Sequence, residues 1–60
     1  MAQRKVFIDE QGKQLVAYIL KSGELYIEIK DDDDNLSYVS LTAEDANDLI
    51  MSLYRIRKDL

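Results

Sequence analysis

Residues Lys13 to Lys30 read KQLVAYILK, then Ser22-Gly23, then ELYIEIK: two apolar-rich runs joined by a short turn. Glycine in such a turn supplies the positive φ that a tight hairpin loop needs. Taken as a two-residue loop, Ser22-Gly23 pairs Leu20 with Leu25, Tyr18 with Ile27 and Val16 with Ile29. These six then share one face of a sheet. The opposite face carries Leu15, Ala17 and Ile19 from one run and Tyr26, Glu28 and Lys30 from the other. The first run is apolar on both sides, as in a central strand covered on both sides. The second alternates.

Outward from this hairpin, Arg4 to Asp9 (RKVFID) alternates charged and apolar residues around Val6 and Ile8, which suits a strand. Asp9-Glu10-Gln11-Gly12 follows as a turn. A three-residue loop with a bulge places Phe7 opposite Leu15 and Val6 opposite Val16; a two-residue loop would exchange the faces. On the other side, Asp31 to Asn35 forms a solvated loop before Leu36 to Leu41 (LSYVSL), a fourth strand. With Lys30 facing Leu36, Val39 meets Ile27 and Leu41 meets Leu25. Thr42-Ala43-Glu44-Asp45 then marks a helix start, with the Thr42 hydroxyl placed to accept from the Asp45 amide and the acids near the positive end of the dipole. At ~100° per residue, Ala46, Leu49, Ile50, Leu53, Ile56 and Leu60 collect on one stripe. Arg57 lies beside it, where its stem can snorkel.

The sequence thus predicts an α+β fold. Strands over 4–9, 13–21, 24–30 and 36–41 form an antiparallel β-meander, and a C-terminal helix over 43–58 packs on one face. Residues 1–60 read as a single domain, without internal repeat, low-complexity tract or linker. Sixty residues bury only roughly 60% of their unfolded surface. Chains of this size commonly need a disulfide, a metal, very good packing or a partner subunit. Cysteine and histidine are both absent, which removes disulfides, thiolate zinc sites and any Ser-His or Cys-His nucleophile. Packing and oligomerisation remain.

The net charge is −4, from 12 acidic and 8 basic side chains. Phosphate contacts need a positive field, so this balance disfavours general binding to nucleic acid or anionic lipid. Four of the acids form one run, Asp31 to Asp34. The apolar triplet after Met-Ala-Gln-Arg-Lys is too short for a signal-peptide core, and no run approaches the ~20 residues of a membrane span. The expected setting is the cytoplasm.

The sheet face left without a helix is where function is expected. In the register above it displays Phe7, Leu15, Ala17, Ile19, Tyr26, Leu36 and Tyr38, with Lys5, Glu28 and Lys30 among them. Left wet, it would exceed the few hundred Å² of contiguous apolar surface that monomers usually expose. A second copy packed face to face would cover it and leave the helices outside. The expected function is therefore a small acidic, non-enzymatic protein-interaction module of accessory, regulatory or inhibitor type, homodimeric through this face, with a further protein partner and no cofactor.

A competing expectation uses the same residues. Phe7, Tyr26 and Tyr38, interleaved with Lys5 and Lys30, make a stacking platform for single-stranded nucleic acid. The order of four strands and one helix, entered through Val39-Ser40-Leu41-Thr42-Ala43-Glu44-Asp45, is similar to the positive cofactor four family of single-stranded-DNA-binding proteins. The likeness covers the topology and residues around 39–49, and it implies nucleic-acid contact by the sheet. The chain departs from that pattern in lacking strongly basic strands and loops, and Glu28 sits mid-face.

Other features carry less. Asp31, Asp33 and Asn35 have the spacing of the first three calcium ligands of an EF-hand loop, but Leu36 stands where Gly is needed and Thr42 where a bidentate Glu is needed. The run reads as a solvated loop tip. Met51 and Tyr54 fall on one flank of the helix, as a cover for the sheet edge or a second contact surface. Ser22, Ser37, Ser40 and Ser52 have no histidine to activate them.

Overall fold

A computed structural model describes residues 3–60. The elements run β1 (Lys5–Ile8), β2 (Gln14–Ile19), β3 (Leu25–Lys30), β4 (Leu36–Leu41) and α1 (Ala43–Ile56), closed by a 3₁₀ turn at Arg57–Asp59. Among the described residues the strands form one antiparallel sheet in the order β1-β2-β3-β4. This is the predicted α+β meander, with element ends trimmed by one or two residues.

The three hairpins share one turn geometry. Asp9 N–H donates to the Lys13 carbonyl at 2.9 Å and Gly12 N–H to the Asp9 carbonyl at 3.2 Å. Leu20 N–H donates to Glu24 (2.9 Å) and Gly23 N–H to Leu20 (2.9 Å), while Asp31 N–H donates to Asn35 (3.0 Å) and Asp34 N–H to Asp31 (3.1 Å). The third loop residue is left-handed each time: Gly12 at φ 84°, Gly23 at φ 91° and Asp34 at φ 65°. Each is a three-residue loop ending in a bulge, which restores the twist of the flanking strands. The turn recurs every eleven residues along the chain, a repeat of backbone geometry that differing side chains conceal.

This geometry corrects the central hairpin. Its loop is Lys21-Ser22-Gly23, not Ser22-Gly23 alone, so Tyr18 pairs with Tyr26, Val16 with Glu28 and Ala17 with Ile27. Glycine at positive φ satisfies either loop length, and one residue of difference exchanges the faces. The predicted pairings of Val6 with Val16, Phe7 with Leu15, Val39 with Ile27 and Leu41 with Leu25 stand.

With side chains alternating along each strand, the sheet has two unlike faces. One is almost wholly apolar: Phe7, Leu15, Ala17, Ile19, Leu25, Ile27, Ile29, Val39 and Leu41, with Lys5 and Ser37 at the two edge strands. The other is mixed: Val6, Ile8, Gln14, Val16, Tyr18, Tyr26, Glu28, Lys30, Leu36, Tyr38 and Ser40.

Thr42 caps α1 as expected, its hydroxyl accepting from Asp45 N–H at 3.1 Å. Glu44 and Asp45 occupy the first turn. With Thr42 alone between Leu41 and the helix, the strand end fixes the helix direction, and α1 meets the sheet chiefly at β4. Ala46 is buried and Leu49 half-buried, but every residue from Ile50 onward is exposed. The apolar stripe is where the sequence predicts it, yet its second half has no cover within the chain. Arg57 Cζ lies 5.3 Å from the Tyr54 ring centre and Lys58 Nζ 5.9 Å from it, so these cations sit over the aromatic ring.

Candidate interaction surfaces

The corrected register divides the predicted interface between the two faces. Phe7, Leu15, Ala17 and Ile19 lie on the apolar face, joined there by Leu25, Ile27, Ile29, Val39 and Leu41. Tyr26, Leu36 and Tyr38 lie on the opposite one. The nucleic-acid platform divides in the same way, because Phe7 and Lys5 stand on the apolar face while Tyr26, Tyr38 and Lys30 stand on the mixed one. The apolar face is thus larger and purer than the sequence suggests. The signal that could have found it was the matched spacing of Gly12 and Gly23, each the last residue of a like loop.

The apolar face is cross-strand rows: Ala17, Ile27 and Val39 along one, and Ile19, Leu25 and Leu41 along the next. Apolar cross-strand neighbours such as these pack against one another within the sheet. Phe7 remains 61% exposed. A groove of about 450 Å³ opens beside it, lined by Phe7, Leu15 and Ile29 with Ile8, Asp9, Lys13 and Gln14.

On the mixed face three tyrosines cross β2, β3 and β4. Tyr18 and Tyr26 pair directly, with ring centres 5.0 Å apart and planes inclined at 50°. Tyr38 lies diagonally from Tyr26, 5.8 Å away at 30°. The Tyr26 hydroxyl donates to Glu28 Oε1 at 2.8 Å. That bond, with some loss of hydration and the carboxylate charge, pushes the Tyr26 phenol up to about 12. On the same face Val16, paired with Glu28, is 2% exposed, while Tyr38 at the edge is 70% exposed. The row is therefore anchored at its centre and open at its β4 end.

The acidic loop is organised from within. Asp31 Oδ1 accepts from Asp33 N–H and Asn35 N–H at 2.9 Å each, and Oδ2 accepts from Asn35 Nδ2 at 3.1 Å. Its carboxyl is held below the ordinary range, first by the Asn35 backbone donor. Asp34 pairs with Lys30 at 3.4 Å. Among the described residues no grouping of His, Cys, Asp and Glu could hold a metal ion, and no helix is long and apolar enough to cross a membrane.

Comparison with known proteins finds no family model, curated protein or solved structure that matches the chain.

Proposed function

We propose that the chain is a small acidic, non-enzymatic protein-interaction module of accessory, regulatory or inhibitor type that works as a homodimer, with the apolar sheet face as its self-association surface. The observation that carries this is the apolar sheet face running from Phe7 to Leu41, on which Phe7, Ile19, Ile29 and Val39 remain exposed and Leu15, Ala17, Leu25, Ile27 and Leu41 are only half-buried. Soluble chains rarely keep such a surface wet. Covering it leaves the tyrosine row outward. Tyrosine combines an apolar body with a polar tip and is enriched where proteins meet, so Tyr18, Tyr26 and Tyr38 are the surface offered to a further protein partner. A cytoplasmic setting goes with this reading, because a chain without cysteine draws nothing from an oxidising compartment.

Sedimentation at micromolar concentration tests it: a dimer is expected, and a monodisperse monomer would overturn it. Single-stranded nucleic acid is the competing occupant of the tyrosine row. Glu28 in the middle of that row and the engagement of Lys30 with Asp34 both oppose a phosphate backbone. Titration with oligo-deoxythymidine is expected to give no salt-dependent shift; a shift abolished by Tyr26→Ala with Tyr38→Ala would establish the nucleic-acid reading instead.

A further inference from the structure

The chain exposes 5375 Å², whereas a compact monomer of 7.0 kDa exposes roughly 4,000 Å². Its radius of gyration is 12.7 Å, against about 10 Å for a compact chain of this length. The excess surface, roughly 1,300 Å² per chain and so about 2,600 Å² for a pair, falls in the range of obligate homodimers. Two apolar features are open at once. One is the apolar sheet face, where Phe7, Ile19, Ile29 and Val39 are 61%, 46%, 48% and 48% exposed around a half-buried Ile27. The other is the second half of the helix stripe, where Ile50, Leu53 and Ile56 are 58%, 53% and 55% exposed.

We propose that each helix of the homodimer lies across the apolar sheet face of the other copy, a reciprocal exchange that covers both features with one contact. The inference rests on the self-association reading above and specifies its geometry. A sheet-on-sheet sandwich would bury the faces but leave both helix stripes wet. Pairing of the two helices would bury the stripes but leave the faces. Exchange covers all four surfaces, and a two-fold axis makes the two contacts identical. The dimensions agree. From Ala46 to Ile56 the stripe is about 15 Å long, and three strand spacings across the sheet make about 14 Å. A helix of this length is marginal on its own and takes its stability from burying its apolar face. Within its own chain that burial ends at Leu49, so the partner's sheet supplies the rest.

The chain contains no cysteine, so single cysteines report contacts without background. Full-length Ile27→Cys and Leu53→Cys proteins, given tags of different mass and checked by circular dichroism for native fold, are mixed, allowed to exchange subunits and oxidised. A disulfide forms only where Cα atoms approach within about 7 Å. The expected product is the mixed 27–53 disulfide, dominant over either like-with-like product. A dominant 27–27 product would show a sandwich, and a dominant 53–53 product a helix pair; either overturns the exchange. A second pair, Ile29→Cys with Ile50→Cys, samples the neighbouring row, and absence of a mixed product from both pairs overturns it as well. Sedimentation of the unmodified protein separates the two failures. A monomer removes both the dimer and the exchange, whereas a dimer with the wrong cross-link removes only the exchange.

Discussion

Tyr26 and Glu28 stand two residues apart on β3, on the same sheet face, and the tyrosine hydroxyl donates to the carboxylate at 2.8 Å. The phenol proton is held by a carboxylate oxygen that carries negative charge. Losing that proton would leave two anions in contact, so the phenol titrates at about 12 instead of its ordinary 10.0. A group whose folded value is raised contributes stability that is complete below its unfolded value and is lost as pH rises through the folded one. The window is therefore about pH 10 to 12. A phenolate absorbance step near pH 12 is expected in the ultraviolet titration. It should vanish in Tyr26→Phe and move down toward 10 in Glu28→Gln, which retains an acceptor oxygen but not the charge.

The left-handed turn positions give opposite expectations for two substitutions. At Gly23 a Cβ would meet nothing within 4 Å, so Gly23→Ala is opposed by backbone conformation alone. A left-handed non-glycine residue costs roughly 1–2 kcal/mol, and about 1 kcal/mol lowers the Tm of a domain this small by ~4–8 °C. Asp34 occupies the same conformation with a side chain attached, so Asp34→Gly should relieve most of that strain. It also removes an exposed pair with Lys30, worth on the order of 0.3 kcal/mol. Glycine also adds about 0.5 kcal/mol of chain entropy to the unfolded state; the strain term exceeds both losses, so a net gain of about 0.5 kcal/mol is expected, read as a higher midpoint in thermal denaturation.

Much of this fold was legible because local chemistry and pattern agreed. Val6 and Ile8 alternate, Gly12 marks a turn, Leu36 to Leu41 is rich in β-formers, and Thr42 announces the helix three residues before the amide it caps. The central hairpin was not legible from its turn residues, since Ser22-Gly23 closes a two-residue loop as readily as it ends a three-residue one. What separates the two is the company each register keeps. One mixes Tyr26, Glu28 and Lys30 with Leu15, Ala17 and Ile19; the other unites Leu25, Ile27 and Ile29 with them and sets Tyr26 beside Tyr18. The exposure of Ile50, Leu53 and Ile56 was hidden for a different reason. Amphipathicity shows that a stripe needs cover but not which chain provides it.

Thr42 governs how the helix leaves β4, and its cap bond is exposed to solvent. Thr42→Ala should lose about 1 kcal/mol. Much of α1 has no support within its own chain, so the loss should appear as reduced helical circular dichroism under dilute conditions and recover with rising protein concentration if a second copy braces the helix. Thr42→Asp preserves an acceptor at the cap and should behave as the parent does. Equal helix content in Thr42→Ala and the parent at all concentrations would show that the cap is not what starts this helix.

Asp31 ties the β3–β4 turn together through backbone amides of Asp33 and Asn35 and the Asn35 side chain. All three donors favour the ionised carboxylate, the Asn35 backbone bond most, with Lys13 adding attraction from the neighbouring strand end. The folded value is therefore below the ordinary 3.8. By linkage, a depressed acid contributes stability that is complete above its unfolded value and is lost as pH falls through the folded one. The loss attributable to Asp31 should begin near pH 4 and continue below it. Asp31→Asn can still accept from the two amides but cannot titrate, so its stability at neutral pH should fall while its acid limb becomes flatter than the parent's. Denaturant midpoints collected from pH 7 down to about 2 would show the two curves converging. Curves that stay parallel would mean that the carboxylate charge at Asp31 contributes nothing to holding the turn.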